Sequence, residues 1–417
     1  MTAVERIERR GRFSGRAGLH RIGALCAALG NPQDKMRFVH LAGTNGKGST
    51  AAMLDAVLRQ AGYRTGLYTS PYLVRFHERI QVNGRPIAGR DLERLADQVE
   101  GAAAGLRLPA GESIGQFEFV TVLAFLYFVE QGCDIVVLET GLGGSFDATN
   151  VIAPPEAAVI TPISLDHTAA LGRTTGEIAR SKAGILKPGS PGISAFGQPA
   201  DALAALRAAC PNLQVAAPAE QIRCGWEGTR FVWQQRPYAV SLIGLHQAQN
   251  AGTALQTIEA LRARGWNLPE EAVRQGLATA FLPGRMQVLR KSPRILVDGG
   301  HNLGGIHALG QTLRLLPRQG KLYLVIGMMQ DKDAAGCAQE LAHLGDGLFV
   351  TQPSADPARA LPAHELAHLL PPGKICGVYP DAADALRAGA AALAAADTLL
   401  ICGSLYLAGE SIEFFTG

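Results

Sequence analysis

Six short aliphatic and β-branched runs punctuate the chain: FVHLAG (Phe38 to Gly43), DIVVLET (Asp134 to Thr140), AAVIT (Ala157 to Thr161), RILVDGG (Arg294 to Gly300), KLYLVIG (Lys321 to Gly327) and TLLICGS (Thr398 to Ser404). Each is bounded by Gly, Pro or Asp. Continuous apolar runs of this kind fit strands buried on both faces, as in parallel sheets. Segments of helical period lie between them, at Thr50 to Ala61, Phe119 to Glu130, Gln247 to Arg264, Gly305 to Leu316 and Ala382 to Ala395. The alternation predicts an α/β fold with a mostly parallel sheet and right-handed crossovers.

At 417 residues the chain exceeds one ordinary core, and two domains are expected. The strand–helix alternation restarts after FLPGRMQVLRKSP (Phe281 to Pro293), which divides the chain into domains 1–290 and 291–417. Trp226 to Leu242, rich in Val, Phe, Trp and Tyr, reads as a β-hairpin on the first domain. With 39 basic and 36 acidic side chains, a formal charge of +3 gives no field that implies nucleic acid or an anionic membrane as partner. No apolar stretch approaches the roughly 20 residues of a membrane span. The seven cysteines form no C-x-x-C pair, and the charged N-terminus has no apolar signal core, so a cytoplasmic protein with reduced thiols is expected.

HLAGTNGKGSTAAMLDAVL carries the strongest chemical signal. A strand ends at Gly43, a glycine-bearing turn follows and a helix starts near Lys47, presenting free N–H groups and the positive helix end to a phosphate. Lys47 would meet the β and γ phosphates and Ser49 could ligate Mg²⁺. Only two residues separate the glycines and Gly48 stands where Ser or Thr is usual, so the loop is a Walker A variant; a ligand-free strand-to-helix turn is the alternative. Glu139 ends another apolar strand, where open α/β sheets bind ligands, and reads either as a Mg²⁺ carboxylate or as an exposed strand-end acid. Asp166 and His167 follow a third strand, as a cation site or as hydrogen-bonding loop residues. Lys182, in SKAGILKPG, reads by itself as a solvated lysine. In the second half, Asp298 could accept from a ribose hydroxyl and Arg285 could pair with phosphates, whereas Asn302 could simply cap the next helix.

Taken in order, GLHRIGALCAALGNPQ, AGTNGKGS, TSPYLVRFHERI, QFEFVTVLAFLYF, LETGLGGSFDATN, ISLDHTAALG, SKAGILKPG, LHQAQNAGTAL, LPGRMQ, DGGHN, GMMQDKD and GSLYLAGE resemble the folylpolyglutamate synthase/dihydrofolate synthase family, a branch of the Mur ligase superfamily. The resemblance runs over nearly the whole chain. It implies a P-loop ATPase domain of Mur ligase type, carrying a pterin pocket, followed by a smaller Rossmann-like domain on the glutamate side. It further implies that Thr44, Asn45, Gly46, Lys47, Gly48 and Ser49 hold ATP, with Asn250, Arg285 and Asp298, and that Ser49, Ser70, Glu139, His167 and Lys182 serve Mg²⁺. Lys47, Lys182, His167 and His301 are the implied catalytic group. A carbamylated Lys182 is implied too, because carbamylation turns a cation into a carboxylate that can ligate Mg²⁺ where the ammonium would repel it. The pterin pocket maps to Gln116, Phe117 and Glu118, to Phe146, Asp147 and Ala148, and to Ser14 to Arg16. The chain departs from the family pattern at Ser145, where many relatives have arginine, at Ala169, where an acid is common, and at Gly300, where alanine is usual.

The implied reaction is attack of a folate or dihydropteroate carboxylate on the γ-phosphate of ATP, then attack of the L-glutamate amine on the acyl phosphate. Domain closure is expected to exclude water. Mg²⁺ is the implied cofactor, with K⁺ as a further cation, and a monomer is expected. Two rivals are a peptidoglycan-precursor Mur-type ligase and a P-loop ATP-binding switch without ligase activity. The first carries an extra N-terminal domain, whereas only 42 residues precede the loop here. The second has no need of Glu139, His167, Lys182, Arg285 and Asp298 together.

Overall fold

The computed structural model describes residues 1–11 and 18–417, so the expected pterin contacts at Ser14 to Arg16 lie outside the described residues. Chain contacts gather into two compact units. One comprises residues 1–219, 233–236 and 249–280, the other 220–232, 237–248 and 281–417.

The first unit is built on eight strands: β1 (Phe38–Ala42), β2 (Thr65–Tyr68), β3 (Ile80–Val82), β4 (Arg85–Pro86), β5 (Ile135–Glu139), β6 (Ala157–Ile160), β7 (Gly192–Ser194) and β8 (Gln214–Val215). Their spatial order is β4-β3-β2-β5-β1-β6-β7-β8. The pairings along β2-β5-β1-β6-β7-β8 are all parallel, and at one edge β3 pairs antiparallel with both β2 and β4. Every residue of β1, β5 and β6 is buried, as the uninterrupted apolar runs predict. The helix Gln116–Glu130 is apolar all round, and Glu118 through Phe128 are buried, because other helices pack over its outer side. Its Phe119, Phe125 and Phe128 are among the largest fully buried side chains, each contributing about 2–3 kcal/mol through burial. Farther along the same sheet face, Ile178, Ala179, Ala202 and Leu206 from the helices Thr175–Lys182 and Ala200–Ala209 pack on Ala42, Ala158 and Ile160.

In the second unit six strands, β12 (Gln287–Lys291), β13 (Arg294–Val297), β14 (Leu322–Ile326), β15 (Gly347–Val350), β16 (Ile375–Val378) and β17 (Thr398–Cys402), form a sheet of order β12-β13-β17-β14-β15-β16. All are parallel except β12, which pairs antiparallel with β13. A hairpin therefore spans residue 290, and this unit reaches back to Phe281. The aromatic stretch expected as a hairpin on the first domain is a three-stranded sheet of β9 (Glu220–Gly225), β10 (Gly228–Trp233) and β11 (Arg236–Val240). Most of it groups with the second unit: Trp226 Nε1 donates to Pro317 O at 3.0 Å and the Arg294 guanidinium lies 3.9 Å from the Trp226 ring. Local composition specified a hairpin correctly, but which core receives its apolar face depends on side chains far away in sequence. Among the described residues no helix is long and apolar enough to cross a membrane.

Candidate active site

The order β2-β5-β1-β6 places four successive carboxyl ends side by side, which is why segments far apart in sequence meet there. Ser70 follows β2, Glu139 ends β5, the glycine loop follows β1, and Ser164 to His167 follow β6. The helix after the loop starts at Lys47, as its sequence predicts, with Gly46 as left-handed N-cap at φ 82°. A methyl group on Gly46 would lie 2.5 Å from Asn250 Oδ1, so the implied ATP residue Asn250 packs directly on the loop. Across the sheet, Thr44 Oγ1 donates to Ser164 O at 3.0 Å and Asn45 Nδ2 donates to Ser164 Oγ at 3.2 Å. Gly43 is pressed against β6: an added methyl would stand 1.8 Å from Thr161 Oγ1. Gly43→Ala is therefore expected to cost about 2–4 kcal/mol of stability, read as a fall in thermal midpoint, and to weaken nucleotide binding.

Two lysines converge on one carbonyl. Lys47 Nζ donates to Gly43 O at 3.0 Å and to Thr44 O at 3.3 Å, and Lys182 Nζ donates to the same Gly43 O at 2.7 Å. Lys47 Nζ also lies 4.0 Å from Glu139 Oε1, while Glu139 Oε2 accepts from Ser70 N at 3.2 Å. Lys182, read from its segment alone as solvated, is buried at 4% exposure. Burial above all, and then the Lys47 charge, pull its pKa down to about 7, against smaller opposing effects of Asp147 and Asp166. Its amine is thus substantially neutral near physiological pH. His167 takes a left-handed φ of 49° and its N–H meets Asp166 Oδ1 at 2.9 Å.

Of the five residues implied for Mg²⁺, the Ser49 hydroxyl and the Glu139 carboxylate fit a hard cation as they stand, being buried oxygen donors at a helix start and a strand end. Lys182 fits only once its amine carries a carboxylate. Ser70 meets Glu139 through its backbone, and His167 offers nitrogen, which Mg²⁺ seldom selects.

The implied acceptor residues lie on the start of the helix Gln116–Glu130 and in the loop after β5. Phe117 packs its ring on Gly141 and lies 5.9 Å from the Tyr68 ring, and Phe146 is 67% exposed, an apolar surface open to a ligand. The two carboxylates act inwardly. Glu118 accepts from Gly115 N at 2.8 Å and pairs with Arg21 at 3.0 Å, holding the helix start. Asp147 is buried and gathers Leu142 N at 2.8 Å, Thr149 N at 3.0 Å and Thr149 Oγ1 at 2.5 Å. Gln116 N donates to Gly11 O at 3.1 Å, and Ala148 is buried. Ser145 N and Oγ both donate to Ser181 O, at 2.9 and 3.0 Å, so the departing serine ties this loop to the residue beside Lys182. Ala169 is exposed.

In the second unit, Asp298 follows β13 and its carboxylate accepts from Met286 N at 2.9 Å and Gly300 N at 2.8 Å. These bonds join the turn bearing Arg285 to the turn bearing His301, whose Nδ1 lies 2.9 Å from Gly299 O. A methyl on Gly300 would come within 2.9 Å of Asp298 Oδ1. Asn302 caps the helix Leu303–Leu315 by accepting from Gly305 N.

Residues 41–258 match the family model of the Mur ligase middle domain, and residues 284–405 that of the Mur ligase glutamate ligase domain. The chain is 38% identical over 337 residues to dihydrofolate synthase/folylpolyglutamate synthase of Bacillus subtilis, covering 77% of each chain. It is 35% identical over 420 residues to folylpolyglutamate synthase of Lacticaseibacillus casei, covering 95% of this chain and 94% of that protein. The chain belongs to the folylpolyglutamate synthase/dihydrofolate synthase family of Mur ligases. Among solved structures, Mycobacterium tuberculosis folylpolyglutamate synthase complexed with ADP and AMPPCP superposes with a TM-score of 0.89 at 32% identity, covering 99% of this chain and 97% of that one.

Within this Mur ligase, motif reading missed the residues that hold the site from behind. Arg21 and Tyr68 hold the helix Gln116–Glu130 through Glu118 and Thr121, and His40 meets Thr149 at the end of the loop after β5. The signal was present for His40: a polar residue inside the run FVHLA must find a buried partner.

Proposed function

We propose that this Mur ligase adds L-glutamate to a reduced folate at the expense of ATP, through an acyl phosphate. The observation that carries this reading is the convergence of Lys47 and Lys182 on Gly43 O in a glycine loop, with Glu139 4.0 Å from the Lys47 ammonium and with Ser145, next to the exposed Phe146, bonded to the residue before Lys182. Amides of Gly46 to Ser49, at the positive end of the helix Lys47–Gln60, bind phosphate oxygens, while Thr44 and Asn45 keep the loop's shape by bonding Ser164. Lys47 exchanges its carbonyl partners for the β and γ phosphates and offsets charge as the carboxylate attacks. Asn250, Arg285 and Asp298 serve the nucleotide, and His301 the transfer to glutamate.

Ser49 and Glu139 would hold Mg²⁺, with Ser70, His167 and a carbamylated Lys182 completing its surroundings and K⁺ as a second cation. Bound there, the metal supplies positive charge to the phosphates. A neutral Lys182 amine is the form that reacts with CO₂, so its lowered pKa supports carbamylation. Phe117 and Phe146 offer ring faces to the pterin, and Glu118 and Asp147 shape the pocket. The two units, expected at 1–290 and 291–417 and divided in the fold near Phe281, share the work as ATP and pterin binding, and glutamate binding. We read the protein as a cytoplasmic monomer.

The Bacillus subtilis relative is named for both acceptors and the Lacticaseibacillus casei relative for one, so dihydropteroate is the second acceptor to test. Phosphate release with ATP and glutamate is measured with tetrahydrofolate or dihydropteroate, and product mass is followed. Release that requires a folate-type acceptor and glutamate, with a product one glutamate heavier, is expected. Release indifferent to both would replace the ligase with an ATP-binding switch, and turnover only with a nucleotide-sugar acceptor would favour the peptidoglycan rival.

A further inference from the structure

We infer that His40 is a positioning residue that locks the acceptor loop, residues 141–149, to the strand bearing the phosphate loop, through a buried relay from His40 to Thr149 to Asp147. The inference rests on the reading above that Phe146 to Ala148 line the acceptor site.

His40 occupies the middle of β1, in register with Leu138 of β5 and Ala158 of β6, and is fully buried. Its Nε2 lies 2.8 Å from Thr149 Oγ1. Thr149 Oγ1 spends its one hydrogen on Asp147 Oδ1, at 2.5 Å, so it can only accept from the histidine. Nε2 therefore carries the ring hydrogen. Asp147 in turn collects the amides of Leu142 and Thr149, which fold the segment between them into one turn around its carboxylate. The relay thus begins three residues before Gly43 and ends between Phe146 and Ala148.

Two further observations support an orienting role. His40 Nδ1 has no hydrogen-bond partner among the described residues, so the contact of Nε2 with Thr149 is what fixes the buried ring. Lys187 holds the segment that follows this loop, donating to Asn150 O at 2.8 Å and to Ile152 O. Burial, and then the Lys187 charge, push the His40 pKa down to about 3, which keeps the imidazole neutral and the relay intact across the physiological range.

The functional consequence follows from geometry. Attack on the γ-phosphate requires the acceptor carboxylate to be in line with it, and a misplacement of about 1 Å costs about a hundredfold in rate. The phosphate is held by the loop after β1 and the acceptor by the loop after β5. His40 ties the strand that leads into the first loop to the second loop by side-chain bonds, in addition to the β1–β5 ladder.

The test compares His40→Leu, His40→Gln, Thr149→Val and the double variant His40→Leu/Thr149→Val, with Phe146→Ala as reference, in the full-length enzyme. KM for tetrahydrofolate, KM for ATP, kcat and the thermal midpoint are measured for each. His40→Leu and Thr149→Val are each expected to lower kcat and to raise KM for the acceptor about tenfold, while KM for ATP stays within about twofold. The double variant should be no worse than either single change, because one relay is broken once. His40→Gln, whose amide nitrogen reaches the place of Nε2, should restore the acceptor KM. If Phe146→Ala raises the acceptor KM but His40→Leu and Thr149→Val lower only the thermal midpoint, the relay is merely structural and the inference falls. If Phe146→Ala leaves the acceptor KM unchanged, the acceptor-site reading itself falls and the inference with it.

Discussion

Replacing Lys47 with alanine is expected to abolish ligation, lowering kcat/KM by at least about a thousandfold, or about 4 kcal/mol of transition-state stabilisation. The size follows from the position of this side chain. Its ammonium is held at the loop mouth by Gly43 O and Thr44 O, 4.0 Å from Glu139, in a site where little water screens it. The Lys47 charge is also one of the causes that depress the Lys182 pKa, so its removal should raise that pKa and disfavour the neutral amine. Arginine is a poor substitute because a planar fork cannot donate to the same two carbonyls and then reach phosphate from the same point. Product mass and phosphate release check the prediction; full turnover by Lys47→Ala would remove the loop from the reaction.

Lys182→Ala carries the second large effect, an expected fall in kcat of about a hundredfold or more, with partial recovery when formate or acetate is added in place of the missing carboxylate. Unimpaired activity would reject the carbamate. Because carbamylation consumes the neutral amine, the wild-type enzyme held in CO₂-depleted buffer well below pH 7 should lose activity and regain it slowly when bicarbonate is supplied near pH 8. The same lowered pKa has a consequence for stability. From an ordinary 10.5 the folded value drops to about 7, so between these pH values the unfolded chain binds a proton that the folded chain does not. Stability therefore rises with pH through that window, and below about pH 7 the folded state carries the whole cost of a buried ammonium. Lys182→Met should raise the thermal midpoint of the unliganded protein at low pH, with a gain that shrinks as pH approaches 10. A gain that grows with pH would contradict this assignment.

Tyr68 shows where a sequence stops being readable. Tyr68, in a short strand, bonds Thr121, which donates to Phe117 O at 2.7 Å. Nothing in its neighbourhood announces that it supports the residue meant to face the pterin. Asp147 and Glu118 illustrate the opposite difficulty. Motif matching brought them to the acceptor site, but their oxygens are engaged by backbone amides and by Arg21, so they shape the site from within. A motif marks a position that matters without saying whether the side chain faces the ligand or the core.

By itself the sequence determined the elements and the family. Continuous apolar runs mark strands covered on both faces, and the 3.6-residue period marks the helices between them. A dozen ordered segments identify a Mur ligase, because periodicity and motif spacing are local properties. Only the tertiary structure decided the strand order β2-β5-β1-β6 that brings Ser70, Glu139, Lys47 and His167 to one edge, and only it decided which core takes the three-stranded sheet. It also decided that Lys182, ordinary in its own segment, lies buried beside a second ammonium with its pKa near 7. Desolvation and charge proximity depend on what surrounds a group in space, and that surrounding is assembled from residues as distant as Gly43 and Lys182.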